Sequence, residues 1–335
     1  MLQSLPAIPV AIAIVLYGLT LLPLSTDKMK AATALVEYVS CYEIRSDGRP
    51  VAWFRSFGDS LSPVAATVVA DTGVIERRLI TGVWINRYDF MPSCRGRILL
   101  PAVDTTAYNS LAAARRTPAK VIGQAIATTR KEIERLDLTA AKLQYYLDTH
   151  NVSDDGYNAM AAFNTDLNRR RKEAALLLTV LEKTTKKHTV SIRHIGKYNL
   201  LYNDGTGRTR RTACNDITTN RNRQFRIIQT ADKGMPKGAS ALYFHRWTAP
   251  AVMPGNRVTT TSYYGSSQPG FSTDALKADL FFGIVTKRGG HDVPDMFAPD
   301  GSPVFTTGGR LVGITLRGKV VVAKSFKFGF NDLLQ

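Results

Sequence analysis

The stretch that decides the fold lies near the C-terminus and reads Asp300-Gly301-Ser302-Pro303-Val304-Phe305, followed by Gly309-Arg310-Leu311-Val312-Gly313-Ile314. Glycine and proline mark turns, and the short apolar runs that they bound are typical of strands. The pattern therefore predicts two strands joined by a glycine-containing turn. Ser302 is predicted to lie in a second, tight turn at the entrance to the first of these strands.

Outward from this stretch, the chain has strand-rich flanks around a helical middle. Short β-branched and aromatic runs fill residues 36–103, and similar runs return from about residue 190 to the end. Between them, apolar residues recur at spacings of three and four, which is the period of an amphipathic helix. The first stripe is formed by Ile122, Ile126, Thr129, Ile133, Leu136, Ala140, Leu143 and Leu147, and the second by Met160, Phe163, Leu167, Arg170, Ala174, Leu177 and Leu181; all are apolar except Thr129 and Arg170.

The two stripes predict an antiparallel helical hairpin in which the stripes pack against each other. The break between them falls at residues 150–152, and Ser153 is predicted to cap the second helix, with two aspartates in its first turn. We predict a mainly β protein with an α insertion. Its segments are an N-terminal apolar segment (1–30), a first β segment (36–105), the hairpin (106–188) and a second β segment (189–335).

Several segments resemble the trypsin-like (chymotrypsin-fold) serine proteases, in particular their Deg-type members, and they follow the order of that family. The stretch from Asp300 to Ile314 is similar to the family's nucleophile segment. The other matching segments are Gly82–Asn86, Gly96–Val103, Gln224–Gln229, Pro254–Val258 with Tyr263–Gly265, and Phe282–Thr286. The resemblance covers about residues 60–105 and 190–325. It implies a trypsin-like double β-barrel that is interrupted by the hairpin.

The same resemblance implies that the catalytic residues have been replaced. Val103 stands where the family has its histidine, Gln224 where it has its buried aspartate, and Asp300 where it has its nucleophilic serine. Valine cannot accept the proton of a serine, and glutamine carries no charge that would stabilise an imidazolium ion. The implied protein is a protease homologue without acyl-transfer chemistry, in other words a pseudoprotease.

A register shifted by two residues leaves a second interpretation open, in which Ser302 is the nucleophile of an active serine endopeptidase. Its base would then be His245 or His291, of which His291 stands in a polar stretch close to Asp292 and Asp295. Both histidines come late in the chain, whereas the family's histidine precedes its aspartate and serine. The remaining histidines are His150, His188 and His194.

The N-terminal residues predict a membrane segment. No charged residue precedes Asp27, and the 19 residues of Pro6–Leu24 are long enough to cross a hydrocarbon core of about 30 Å as a helix. A cleaved signal peptide and a buried core helix are the alternatives. Lys28 and Lys30 favour a cytoplasmic position for the following chain. We expect a periplasmic position at a bacterial cell envelope instead, so the orientation stays open.

The composition excludes several other classes of protein. Three cysteines without a CxxC pair fit neither a disulfide-dense domain nor a zinc site, and no nucleotide or metal motif occurs, so we predict no cofactor and no metal. The net charge of +17 favours polyanionic surroundings. The basic runs at 169–172, 183–187 and 208–226 suit a solvated surface or anionic lipid, and nucleic acid is not predicted because no recognition module is found.

Together these patterns predict a membrane-anchored protease homologue that binds an extended peptide or protein partner in its protease-like cleft by strand addition. The hairpin is expected to offer a second partner surface. Two alternatives remain open at this point: the active endopeptidase with Ser302, and a basic coiled-coil adaptor that is unrelated to proteases.

Overall fold

The computed structural model describes residue 18 and residues 21–70, 73–85, 96–102, 105–187, 189–219, 224–244, 249–266 and 276–326. The chain forms two compact units. Unit 1 comprises the described residues of 1–38, 78–103 and 197–335, and unit 2 those of 39–77 and 104–196.

The helices are α1 (Thr26–Ala31), α2 (Thr105–Arg116), α3 (Pro118–Thr149) and α4 (Tyr157–Lys187), with short 3-10 turns at Asp59–Leu61 and Ala323–Ser325. The strands are β1 (Thr33–Ser46), β2 (Arg49–Phe54), β3 (Ser56–Phe57), β4 (Pro63–Val64), β5 (Glu76–Ile85), β6 (Arg97–Pro101), β7 (Val190–Asn203), β8 (Thr209–Thr219), β9 (Phe225–Thr230), β10 (Arg257–Ser262), β11 (Asp279–Ile284), β12 (Pro303–Thr306), β13 (Leu311–Leu316) and β14 (Lys319–Val322).

The first sheet is a six-stranded antiparallel barrel. Its strands follow the order β1-β5-β6-β9-β8-β7, and a pairing between β7 and β1 closes the ring, while β2 pairs with Tyr42–Ser46 of β1. Apolar residues at alternate positions of these strands, such as Val36, Trp84 and Ile98, form one buried cluster with Leu200 and Ile228. The alternation explains the strand assignment, because successive side chains of a strand point to opposite faces.

The second sheet has the order β11-β10-β12-β13-β14 among the described residues, so β11 and β14 are its edges. Phe305 and Ile314 of this sheet share a buried cluster with Val83, Leu99 and Phe225 of the barrel, all within unit 1. The predicted fold class is confirmed: the chain is mainly β, with a six-stranded barrel, a second sheet and an inserted helical hairpin formed by α3 and α4.

The hairpin packs through the two predicted stripes. Leu136 and Ala140 of α3 contact Leu167 and Ala174 of α4, and ion pairs such as Arg130–Glu182 cross between the helices. Met160 and Phe163, which the second stripe also included, are 39 % and 47 % exposed because they lie beyond this cluster, towards the tip of the hairpin.

The predicted start of the second helix is wrong. Helix α4 begins at Tyr157 rather than after Ser153. The carboxylate of Asp154 accepts a hydrogen bond from the main-chain N–H of Asn151 at 2.9 Å, which stabilises a turn in place of the first helical turn. Gly156 follows with φ at +87°, a left-handed conformation that delays the helix further.

The predicted membrane segment lies mostly outside the described residues. Among the described residues that follow, the main-chain N–H of Leu24 donates a hydrogen bond to the Gly309 carbonyl at 3.0 Å. Ser25 then caps helix α1. No helix in the described part of the chain combines the length and the apolar character needed to cross a membrane.

Candidate functional site

The turn that leads into β12 is held against the barrel. The N–H of Gly301 donates to the Thr315 carbonyl at 2.8 Å, and the N–H of Thr315 donates to the Ser302 carbonyl at 2.9 Å. Gly301 has φ at +94°, and a Cβ there would overlap the main-chain oxygen of Thr81 and approach Pro101 Cδ to 2.8 Å. Only glycine fits this position without strain.

The neighbourhoods of the three predicted triad positions meet around Pro101. Gly301, next to Asp300, lies against this proline, and Pro101 pairs with Phe225, the residue after Gln224. The N–H of Ala102 donates to the Gln224 carbonyl at 2.7 Å. Val103 follows directly in the chain, although the residue itself lies outside the described part of the structure.

Asp300 occupies a half-buried position in this cluster. Its Oδ1 accepts a hydrogen bond from the main-chain N–H of Arg317 at 2.6 Å. Burial raises the pKa of the Asp300 carboxyl and the nearby charge of Asp295 adds to this effect, while the Arg317 hydrogen bond opposes it. The Asp300 carboxyl thus serves as a hydrogen-bond acceptor for the main chain of Arg317.

The Ser302 hydroxyl is buried and has no hydrogen-bond partner among the described residues. The residue is 0 % exposed, and its Oγ makes no hydrogen bond to any described residue. An activated serine needs a base within about 2.6–3.2 Å, and it must also face the substrate. Neither condition is met among the residues that the structure describes.

His291, one of the two bases suggested for Ser302, has a different partner. Its Nε2 lies 2.9 Å from Thr315 Oγ1. Burial lowers the pKa of His291, while a main-chain hydrogen bond with Val293 and the charges of Asp292 and Asp295 oppose this shift. The other suggested base, His245, lies outside the described residues.

The described part of the chain gives no donor set for a metal ion. Within the described ranges, no three His, Cys, Asp or Glu side chains lie close enough together to hold one.

Much of the positive charge of the hairpin is balanced locally, since Arg169 and Arg170 both pair with Asp166 and Arg171 pairs with Asp137.

Part of this chain is similar to two solved structures. The MamO protease domain from Magnetospirillum magneticum matches at 17 % identity and a TM-score of 0.25, over 37 % of this chain and 68 % of that chain. Deg5 matches at 12 % identity and a TM-score of 0.26, over 36 % of this chain and 58 % of its own, which is less than two thirds of its length.

The sequence itself gives no further relatives. No protein-family model matches the chain, and no curated protein matches it either. Similarity at the level of these two structures says nothing of activity, substrate or partner. The chemistry has to be derived from the residues of this chain.

The second geometric feature of unit 1 is the free edge of β11. Ile284 exchanges hydrogen bonds with Asp292, its N–H donating to Oδ1 at 2.6 Å and its carbonyl accepting from the Asp292 N–H at 3.1 Å. These groups therefore point away from β10, and by the alternation of the strand so do those of Phe282 and Leu280. In the described part of the chain, nothing pairs with the outward groups of Phe282 and Leu280.

The side chains of β11 are unusually apolar for an edge strand. Phe282 is 75 % exposed and Ile284 is 44 % exposed. Edge strands are normally protected by lysine, proline or a bulge, and β11 (DLFFGI) has neither lysine nor proline. The opposite edge differs, because β14 begins with Lys319 and the Val320 N–H donates to the Gly289 carbonyl at 2.9 Å.

The raised pKa of Asp300 leads to a testable pH dependence. Because the pKa is higher in the folded than in the unfolded chain, the unfolded state gains more from ionisation as the pH rises above 3.8, the ordinary pKa of an aspartate. Asp300 therefore destabilises the fold at neutral pH. Asp300→Asn keeps an oxygen acceptor for the Arg317 N–H and removes the charge, so we expect a higher melting temperature at pH 7 and a smaller gain at pH 4.

Differential scanning fluorimetry at both pH values measures this effect. The control is Asp155→Asn in the exposed turn before α4, which removes a carboxylate outside unit 1. A loss of stability in Asp300→Asn at pH 7, or an equal gain at both pH values, would contradict the assigned environment of this carboxylate.

Proposed function

We propose that this chain is a protease-like binding module that takes up an extended peptide segment along the free edge of β11 and does not cleave it. The observation that carries the proposal is the unpaired edge at Leu280 and Phe282. Its outward main-chain groups can form a short antiparallel or parallel ladder with a peptide.

The side chains beside this edge favour a peptide with apolar residues. A strand added to β11 would place alternate side chains next to Phe282 and Ile284, whose apolar side chains are exposed to solvent. On the other face lies Phe281, whose ring is 5.1 Å from that of Phe297. An apolar residue on either side of the peptide would thus meet an aromatic or aliphatic neighbour.

The absence of cleavage is part of the proposal. The buried hydroxyl of Ser302 has no base within hydrogen-bond distance in the described chain. Asp300, at the position that the resemblance assigns to the nucleophile, is held by the Arg317 N–H. No observation favours the active endopeptidase over the binding role.

The location of the protein is proposed on sequence grounds. The uncharged stretch Pro6–Leu24 supports attachment to a membrane, and the resemblance to Deg-type proteases supports the cell envelope. Both remain predictions, as does the side of the membrane on which units 1 and 2 lie.

To test the β11 site, peptides are selected from a phage-displayed library of random 12-residue peptides on the immobilised full chain. The selected peptides are then synthesised, and their affinity is measured by calorimetry. Phe282→Pro removes the outward N–H while leaving the ladder to β10 intact, since proline is tolerated where an edge N–H faces solvent. We expect this variant to weaken binding about tenfold or more, from the lost hydrogen bond and the lost ring together.

The matched control is Phe163→Ala, because Phe163 is also an exposed phenylalanine but lies on α4. We expect it to bind the same peptides with the affinity of the wild type. Unchanged affinity in Phe282→Pro would place the peptide elsewhere and overturn the proposal. A wild-type dimer that becomes monomeric in Phe282→Pro, with no peptide selected, would assign the edge to a second copy of this chain instead.

A further inference from the structure

A cavity of about 280 Å³ opens to solvent on unit 1, away from the residues of the Asp300 turn. Its walls come from α1 and the start of β1, from the end of β7, from the loop at 236–239 and from residues 276–278. The apolar part of the wall includes Trp84, Leu200 and Leu276, which are all at least nine-tenths buried. This apolar lining is suited to an acyl chain or a branched aliphatic group.

The polar part of the wall is basic. Three lysines line the cavity, namely Lys30, Lys237 and Lys277, and no aspartate or glutamate does so among the described residues. Lys30 forms an ion pair with Asp279, whose Oδ1 lies 3.7 Å from the lysine Nζ. Lys237 and Lys277 are exposed and appear in no ion pair with a described residue.

We propose that this cavity binds a small amphipathic carboxylate, with its apolar body against Leu200, Leu276 and Trp84 and its charged group towards the lysines. At about 280 Å³, the cavity lies just below the range of about 300–1,000 Å³ that is usual for small-molecule sites, so we expect a small ligand. Two sources carry this chemistry: a free medium-chain acid, and the apolar C-terminal residue of a peptide. The site does not depend on the β11 edge.

The probes are octanoate for the first source, N-acetyl-leucine for the second, and octanol as the neutral match of octanoate. Calorimetry on the full chain is expected to give a dissociation constant of about 1 mM or tighter for at least one of the two acids. Whichever acid binds more tightly names the source. Tryptophan fluorescence is expected to change on binding, and this change should be lost in Trp84→Phe while the heat of binding remains.

The charge requirement is tested with the double variant Lys237→Ala/Lys277→Ala. We expect it to weaken binding of the acid about fivefold, within the range for exposed ion pairs, and to leave octanol unchanged. The control is Lys319→Ala, since Lys319 is an exposed lysine of β14 away from the cavity. Phe282→Pro should also leave the acid affinity unchanged, which separates this site from the proposed peptide site.

The volume requirement is tested with Ala239→Leu, which places a larger side chain on the cavity wall. It is expected to abolish binding of both acids without lowering the melting temperature by more than a few degrees. The inference is overturned if neither acid binds, if octanol binds as tightly as octanoate, or if both the lysine variant and Ala239→Leu bind like the wild type.

Discussion

Replacing Gly301 by alanine is expected to lower the free energy of unfolding by about 3–5 kcal/mol, from strained backbone and steric overlap together. The residue has φ at +94°, and its missing Cβ leaves room for the main-chain oxygen of Thr81. Neither atom can move freely, because one belongs to β5 of the barrel and the other to the turn before β12. Guanidinium denaturation followed by circular dichroism measures the change.

The matched control for this substitution is Gly308→Ala. A Cβ at Gly308 meets nothing nearer than Thr306 Oγ1 at 3.8 Å, so we expect a change of less than about 0.5 kcal/mol. Similar stability of the two variants would contradict the close approach of the Asp300–Ser302 turn to the barrel, and with it the geometry of the candidate site.

The second large effect is expected for Phe305→Ala. Phe305 is 0 % exposed and packs in the cluster shared by the second sheet and the barrel. Removing a buried phenylalanine side chain leaves a cavity and costs about 3–5 kcal/mol. We expect the same denaturation experiment to show this loss with a cooperative transition.

Phe282→Ala is the control, since it removes the same kind of side chain from β11, the edge strand of the same sheet. At 75 % exposure, its loss is expected to change stability by less than about 0.5 kcal/mol while it weakens peptide binding. If Phe282→Ala destabilised the chain as much as Phe305→Ala, the ring would have a structural role and the edge of β11 would not be free.

The helical hairpin could be predicted in detail because its information is local. The apolar period from Ile122 to Leu147 places a helix there, and the structure has α3 over Pro118–Thr149. The start of α4 could not be predicted in the same way. Ser153 is a good cap by residue type, but the Asp154 hydrogen bond to Asn151 competes with the helix.

The strands were harder to predict, since pairing depends on residues far apart in the chain. The run VAATVVA at 64–70 contributes only Val64 to β4 and an isolated bridge from Thr67 to Trp53. The run at 239–244 contributes only a bridge from Leu242 to Ile85. Both runs have suitable residues for a strand but no long neighbour with which to form a ladder.

The candidate site, too, could be predicted only where the information lies in the order of residues along the chain. The sequence indicates Gln224 and Asp300 through their order in the chain, and the structure places their neighbourhoods around Pro101. It gives no sign that the Ser302 hydroxyl is buried, because burial there depends on the barrel. The free edge of β11 and the lysine-lined cavity were missed for the same reason, since each is assembled from strands that are distant in sequence.

The central proposal is that this chain binds a peptide and has no acyl-transfer chemistry. Its most direct test is reaction of the folded full chain with a fluorophosphonate probe, followed by intact mass analysis. The wild type and Ser302→Ala are treated side by side, with circular dichroism to establish that both are folded. The buried and unpaired Ser302 hydroxyl predicts no added mass in either protein. Labelling of the wild type that disappears in Ser302→Ala would show an activated serine and contradict the account.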